Sequence, residues 1–364
     1  MAGPPLTLRD RMQSGVVRGL AGLPDAAIRL LVGRPTVRDG QRLHPETQLA
    51  LKLLAMAGAP ELEELTPDQA RARVAQDART FEGPKVGLDE VRELELPGAT
   101  KSIPARLYVP DASEADGALV VYFHGGGFVV GDLDTHDNAC RFLARHSGAR
   151  IVSVDYRRAP ESPFPAPLDD ALAAFRWVFE QAPELGAHPR RIGVAGDSAG
   201  ANLAAGVARL SRRDGDPAPE FQLLFYPWLD LAHKRPSYRL FGQGFYLTES
   251  DLDWYAGKYL TRTDDAQDPR CSPLQAEDLE GLPPTYVATA GFDPLRDEGE
   301  EFARRLRDAG VPVALRRHAG LIHGFVNTVS VGHVGREAVL EAAGALRLGL
   351  ALREGGSPGG PRSF

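Results

Sequence analysis

Residues 192–203 read IGVAGDSAGANL, and the way this stretch must fold decides the architecture. Ile192–Ala195 is a short, mostly apolar run, which predicts a strand buried on both faces. The alanine-rich run Ala201–Arg212 behind it predicts a helix. Between them, Gly196-Asp197-Ser198-Ala199-Gly200 leaves almost no chain for the change of direction. A strand that turns straight into a helix strains the residue at the apex, and the flanking glycines let the backbone pass without Cβ clashes. The hydroxyl of Ser198 is then held at the top of a sheet, beside the positive end of the following helix. The spacing G-x-S-x-G is weak by itself. In a strand–turn–helix setting it marks a nucleophile.

Outward from this turn the chain keeps one rhythm. Val91–Leu96 and Ile103–Val109 alternate in polarity, as half-buried antiparallel strands do, whereas Ala118–Phe123 (ALVVYF) is continuously apolar. Similar runs recur at Ile151–Val154, Leu223–Tyr226, Tyr286–Ala290 and Val313–Leu315. Helical stretches lie between them at Asp137–His146, Pro167–Gln181, Glu298–Ala309 and Arg336–Leu350. The alternation predicts an α/β fold with a mostly parallel central sheet flanked by helices on both faces. Residues 1–80 read as helices and turns with no strand of their own, an N-terminal helical cap region; Thr66-Pro67-Asp68-Gln69 opens its last helix with an N-cap and a proline at the first helical position. Residues 228–270 form an aromatic-rich cap insertion, again without a convincing strand. The core is thereby divided into 81–227 and 271–352, and the Gly/Pro/Ser-rich residues 353–364 are expected to be a disordered tail.

Composition removes several classes of function. The 364 residues carry a formal net charge of −7, against the basic face that a nucleic-acid binder would show. Cys140 and Cys271 make no C-x-x-C pair and no disulfide framework, so a reducing, cytoplasmic setting is expected. The N-terminus shows no secretory pattern, and Val16–Val32, the most apolar early stretch, is interrupted by Arg18, Pro24, Asp25 and Arg29. No spacing suited to a metal or nucleotide is present, so no cofactor is expected.

His124-Gly125-Gly126-Gly127 directly follows the ALVVYF strand and is a sharper signal than the serine motif. Successive glycines leave backbone N–H groups unshielded and free to converge on an anion, as an oxyanion hole requires. Without a dinucleotide or P-loop motif, the phosphate-binding alternative has no support. His124 itself reads as shaping the loop.

HGGGF at 124–128, DYRRAPE at 155–161, FPAPLDDA at 164–171, GDSAG at 196–200, DPLRDE at 293–298 and HGF at 323–325 occur in one order. In that order the chain resembles the hormone-sensitive-lipase-like carboxylesterases (bacterial family IV) of the α/β-hydrolase fold, over about residues 90–345. The family's pattern has an apolar residue where Arg158 stands. The resemblance implies a serine carboxylesterase acting on small-molecule esters of short to medium acyl chains, with a homodimer as a plausible assembly.

The order Ser, then Asp or Glu, then His governs the rest of the triad in this fold. After Ser198 the histidines are His233, His318, His323 and His333. His323 sits before a glycine in a loop after the last strand and matches HGF; His318 is its nearest competitor. Asp293 follows the strand Tyr286–Ala290 on the side where such sheets place function, and matches DPL. Asp297 competes, but with Glu300 it reads as the capping box of the next helix. The expected site is therefore Ser198, Asp293 and His323, with the N–H groups of Gly126, Gly127 and Ala199 as oxyanion hole. Asp197 is expected to brace the elbow, and Asp155, Asp169 and Asp170 the surrounding loops. Phe128, Trp228 and Phe245 are expected to line the substrate pocket, with Tyr238, Phe241 and Tyr246 as further aromatic candidates. The same triad would serve an amidase or carbamate hydrolase. A non-catalytic binding protein on this fold is the other rival, disfavoured by the intact base.

Overall fold

The computed structural model describes residues 15, 19, 23–58, 60–81, 83–111 and 117–351; the expected tail 353–364 lies outside them. Its centre is an eight-stranded sheet. In chain order the strands are β1 (Val37–Arg38), β2 (Gln41–Arg42), β3 (Glu90–Pro97), β4 (Ser102–Val109), β5 (Leu119–Phe123), β6 (Arg150–Val154), β7 (Ile192–Asp197), β8 (Gln222–Phe225), β9 (Thr285–Phe292) and β10 (Val313–Ile322). The sheet runs β10-β9-β8-β7-β5-β6-β4-β3, while β1 and β2 pair separately. β3 and β4 are antiparallel to their neighbours and the other six strands are parallel. The two amphipathic runs thus became the antiparallel edge, and the apolar runs became the doubly buried centre.

The chain leaves β5 for β6 on one side and then crosses back to β7 on the other. Ligands bind at such a reversal, outside the carboxyl ends of the strands. Both glycine motifs sit there, HGGG at the end of β5 and GDSAG at the end of β7. One face of the sheet packs on helices Ala166–Glu180, Ala199–Asp214 and Arg296–Asp308, and the other on Asp137–Ser147 and Val334–Gly349. Asp170, fully buried, accepts hydrogen bonds from the Ala99 and Arg157 N–H groups and pairs with the Arg157 guanidinium at 2.7 Å, tying the β3–β4 turn to the segment after β6.

Three expectations need correction. Residues 1–80 do contain strands: β1 and β2 form a minimal hairpin around Asp39-Gly40, both at positive φ (53° and 68°). Asp-Gly is the signature of that turn, but two-residue strands leave no alternation to read. The last strand is ten residues long rather than three, because β10 lies at the sheet edge, where Arg316 and Arg317, one on each face, interrupt the apolar run and pair with Glu341 and Glu300. The third concerns Asp297 and Glu300. The helix Arg296–Asp308 has no side-chain N-cap; Asp297 accepts from the Ser237 N–H, and Glu300 pairs with Arg317. By contrast, Thr66 and Gln69 exchange hydrogen bonds as a reciprocal cap of Pro67–Phe81.

Candidate active site

Ser198 stands at the elbow with φ 55° and ψ −118°, outside the regions open to ordinary residues. The turn is possible only because of what flanks it. A Cβ on Gly200 would lie 1.9 Å from the Phe123 carbonyl oxygen, so the elbow packs directly against the end of β5. Ala199 is the first residue of its helix, and its N–H has no partner within that helix. The elbow is braced by Asp197, which is buried and points beneath the glycine loop. Its Oδ1 accepts from the Tyr122 hydroxyl (2.8 Å) and the Gly125 N–H (2.9 Å), with His136 Nε2 at 3.3 Å. Burial presses this carboxyl upward, but His136, Tyr122 and Gly125 outweigh it and hold it below the ordinary carboxylate range.

The glycine loop folds into a tight turn, with the Val129 and Val130 N–H groups both donating to the Gly126 carbonyl. Gly127 (φ 58°) lies beneath Tyr255 of the helix Glu249–Tyr259, so closely that a Cβ would fall 2.2 Å from the ring. His124 stacks on Tyr156 with ring centroids 4.3 Å apart, and its Nδ1 contacts the Gly125 carbonyl at 2.8 Å. Arg158, where the family pattern has an apolar residue, hydrogen-bonds the Gly131 carbonyl. From the N-terminal side, Arg71 of Pro67–Phe81 donates to the Val129 and Ala159 carbonyls at 2.9 and 2.8 Å, pinning that helix to the loop.

Across the cleft, His323 Nδ1 and Asp293 Oδ2 are 2.8 Å apart, and Asp293 is fully buried. Asp293 follows β9 and is locked by the Leu295 N–H on its other oxygen (2.8 Å), while His323 follows β10 and lies against the Tyr226 ring. The competitors lie elsewhere. His318 is inside β10 with its ring edge-on to Phe325, and burial lowers its pKa to about 4. Asp297 is engaged by Ser237 and Arg296.

Ser198, Gly126, Gly127 and His323 face one cleft of about 470 Å³, roofed by residues from Pro45–Ala57, Pro67–Phe81 and Glu249–Tyr259. Of the expected aromatics, Trp228 and Tyr246 line it. Phe128 is fully buried behind it, stacked on Tyr259 at 3.8 Å. Phe245 is not a lining residue: it packs into a separate cluster with Leu43, Phe241 and Phe292, because the turn at Gly244 (φ 81°) and Tyr246 (φ 76°) directs Tyr246 rather than Phe245 toward His323. Tyr238 is likewise buried, its hydroxyl 3.5 Å from Glu298. Among the described residues no three His, Cys, Asp or Glu side chains converge as a metal site would require, and no helix is long and apolar enough to cross a membrane.

A sequence profile of the α/β hydrolase fold matches residues 120–327. Carboxylic ester hydrolase LipN of Mycobacterium tuberculosis is 44% identical, with 96% of each chain covered. The chain belongs to the hormone-sensitive-lipase-like α/β-hydrolase family. An ethyl acetate hydrolase of Pseudomonas putida is 37% identical over 78% of this chain and 90% of its own. The solved structure of a thermostable carboxylesterase cloned from a metagenomic library superposes with a TM-score of 0.78 at 42% identity, covering 80% of this chain and all of that one. This α/β-hydrolase therefore shares both fold and family with ester hydrolases along most of its length.

Three residues at the site take no role from the sequence alone, although Glu298 closes the DPLRDE motif. Tyr255 lies in a helix whose polarity shows no clear face. Glu298 is buried and accepts from the Leu229 N–H at 2.5 Å, steadying the segment after Trp228, whose N–H donates to the Ser198 carbonyl. His136 reaches the cleft from just beyond the glycine loop; its only signal is the compact polar run Asp132–Asp137.

Proposed function

We propose that this carboxylic ester hydrolase works by acyl transfer to Ser198, with His323 as general base and acid and Asp293 as its orienting partner. The observation that carries this reading is the 2.8 Å contact from a fully buried Asp293 to His323, which faces the cleft that holds Ser198. Ser198 Oγ attacks the ester carbonyl and its proton passes to His323 Nε2. Asp293 holds Nδ1–H and so presents the correct nitrogen to the serine. The N–H groups of Gly126, Gly127 and Ala199 receive the developing oxyanion, already fixed by the loop and the helix end before charge appears. His323 then gives its proton to the departing alcohol. Water repeats the sequence to release the acid.

The roofed cleft and the bulk of Trp228 and Tyr246 favour short to medium acyl chains over long ones. A p-nitrophenyl series from acetate to palmitate tests this: kcat/KM is expected to peak at the short end, and a maximum at palmitate would contradict it. Two buried, unpaired cysteines suit a reducing compartment, and a cytoplasmic setting is part of the proposal. So is a homodimer formed through the edge strand β10 and the last helix, where Leu340 and Leu348 are exposed; light scattering decides it.

A further inference from the structure

The polar cluster beneath the glycine loop contains a second histidine, one that acyl transfer does not use. His136 is 4% exposed, yet both of its ring nitrogens have partners. Nδ1 lies 2.9 Å from Thr135 Oγ1. The Asp132 carbonyl at 2.8 Å can only accept, so the single hydrogen of that hydroxyl is assigned to it, and toward His136 the hydroxyl then accepts. On that assignment Nδ1 carries a proton. Nε2 faces Asp197 Oδ1 at 3.3 Å, a carboxylate that also only accepts, so Nε2 carries one as well. The Asn327 amide nitrogen lies 3.4 Å from Nε2 while its buried oxygen has no partner; turning the amide over would give that oxygen a protonated Nε2 as donor.

We propose that His136 is held as an imidazolium and serves as a positioning residue for the oxyanion hole, acting through Asp197 on the Gly125 N–H. The inference rests on the acyl-transfer reading above. One carboxylate oxygen joins three elements: Tyr122 of β5, Gly125 of the glycine loop and His136 beyond it. Asp197 is itself next to Ser198, so the loop that carries Gly126 and Gly127 and the elbow that carries Ser198 and Ala199 are registered through one charge. A buried carboxylate keeps that charge only while a cation compensates it. The groups facing His136 are Asp197 from the elbow, Asp132 from its own loop, the His124 ring at 5.6 Å, the Tyr122 ring at 6.4 Å and the Asn327 amide. Burial opposes the charge on His136, but Asp197 and Asp132 overcome it and raise its pKa above that of an ordinary histidine. His124 is held neutral, by burial first and by the neighbouring charge of His136 second. Because the folded-state pKa is raised, the positioning persists to higher pH than an ordinary histidine would allow. It is lost as pH rises through the raised value.

The test has two parts. Long-range proton–nitrogen correlation spectra of the ¹⁵N-histidine-labelled protein at neutral pH read the charge without reference to activity. Both His136 nitrogens are expected to be protonated, and a single-proton tautomer would overturn the proposal even if the protein is an esterase. The second part compares His136→Gln with wild type on p-nitrophenyl butyrate across pH 6 to 10. The variant is expected to lose on the order of tenfold or more in kcat, short of the roughly 10²–10³-fold that deleting an oxyanion donor costs, with KM little changed and the alkaline fall of the wild-type profile removed. Unchanged kcat with an unchanged alkaline limb would overturn it. A wild type without Ser198-dependent hydrolysis would instead refute the acyl-transfer reading and leave the spectroscopic result standing.

Discussion

His323 meets Asp293 across 2.8 Å, and of that pair only the histidine retains any exposure. The carboxylate is pinned on its second oxygen by the Leu295 N–H, so it cannot follow the ring if the ring moves. Asp293→Asn preserves both the volume and the backbone contact but no longer selects the tautomer with a proton on Nδ1. The expected result is a fall in kcat of about 10³–10⁴ with a nearly unchanged melting temperature. A loss below tenfold would mean that the contact does not orient the base.

The roof over Gly127 gives a steric prediction. A Cβ there falls 2.2 Å from the Tyr255 ring and also forces alanine to φ 58°. Gly127→Ala is expected to lower kcat on the order of 100-fold by displacing an oxyanion donor. The double variant Gly127→Ala/Tyr255→Ala removes the ring but not the backbone strain. It is expected to recover part of the activity, where Gly127→Ala/Tyr255→Phe recovers none. Equal rates for the two doubles would show that the ring is not the obstacle.

Glu298 is buried, and burial drives its pKa well above the ordinary value despite the Leu229 and Asp230 N–H groups on Oε1. A raised folded-state pKa means that the native protein binds more protons than the unfolded chain, so stability from this group declines as pH rises above about 4.3 toward the folded value. Glu298→Gln keeps the acceptor and removes the titration. Thermal melts between pH 5 and 8 are expected to show a flatter profile for the variant, with its melting temperature at or above wild type at pH 8. A steeper profile for the variant would reverse the sign of the argument.

Asp170 does not line the cleft and is fully buried, with the Arg157 guanidinium and two N–H groups on its oxygens. Asp170→Ala leaves all of them without an acceptor and is expected to cost about 3–5 kcal/mol in urea denaturation, while kcat of the folded fraction is unchanged. A cost below 1 kcal/mol would show that water replaces the carboxylate.

Legibility in the sequence follows how local each feature is. The elbow and the glycine loop are short stretches whose backbone requirements are written in consecutive residues, so Gly196–Gly200 and His124–Gly127 can be placed from residue order alone. The buried parallel strands announce themselves as apolar runs. The edge strand β10 does not, because half of its side chains face water, and the hairpin at Asp39-Gly40 is too short to show a period. Asp297 and Glu300 have the spacing of a capping box yet are drawn to Ser237 and Arg317, partners 60 and 17 residues away. Residue type alone assigns Phe245 to the pocket; a pair of positive φ angles exchanges it for Tyr246. His136 is hidden because its partners come from β5, the elbow and the segment after His323, which no spacing along the chain relates.

Hydrolysis of p-nitrophenyl butyrate by wild type and by Ser198→Ala, measured side by side on equally folded protein, tests the nucleophile most directly. Wild-type turnover with a loss of about 10⁵–10⁶-fold in the variant is the expected result, since removing the nucleophile leaves only binding and the oxyanion donors. Comparable rates for the two proteins would contradict acyl transfer to Ser198.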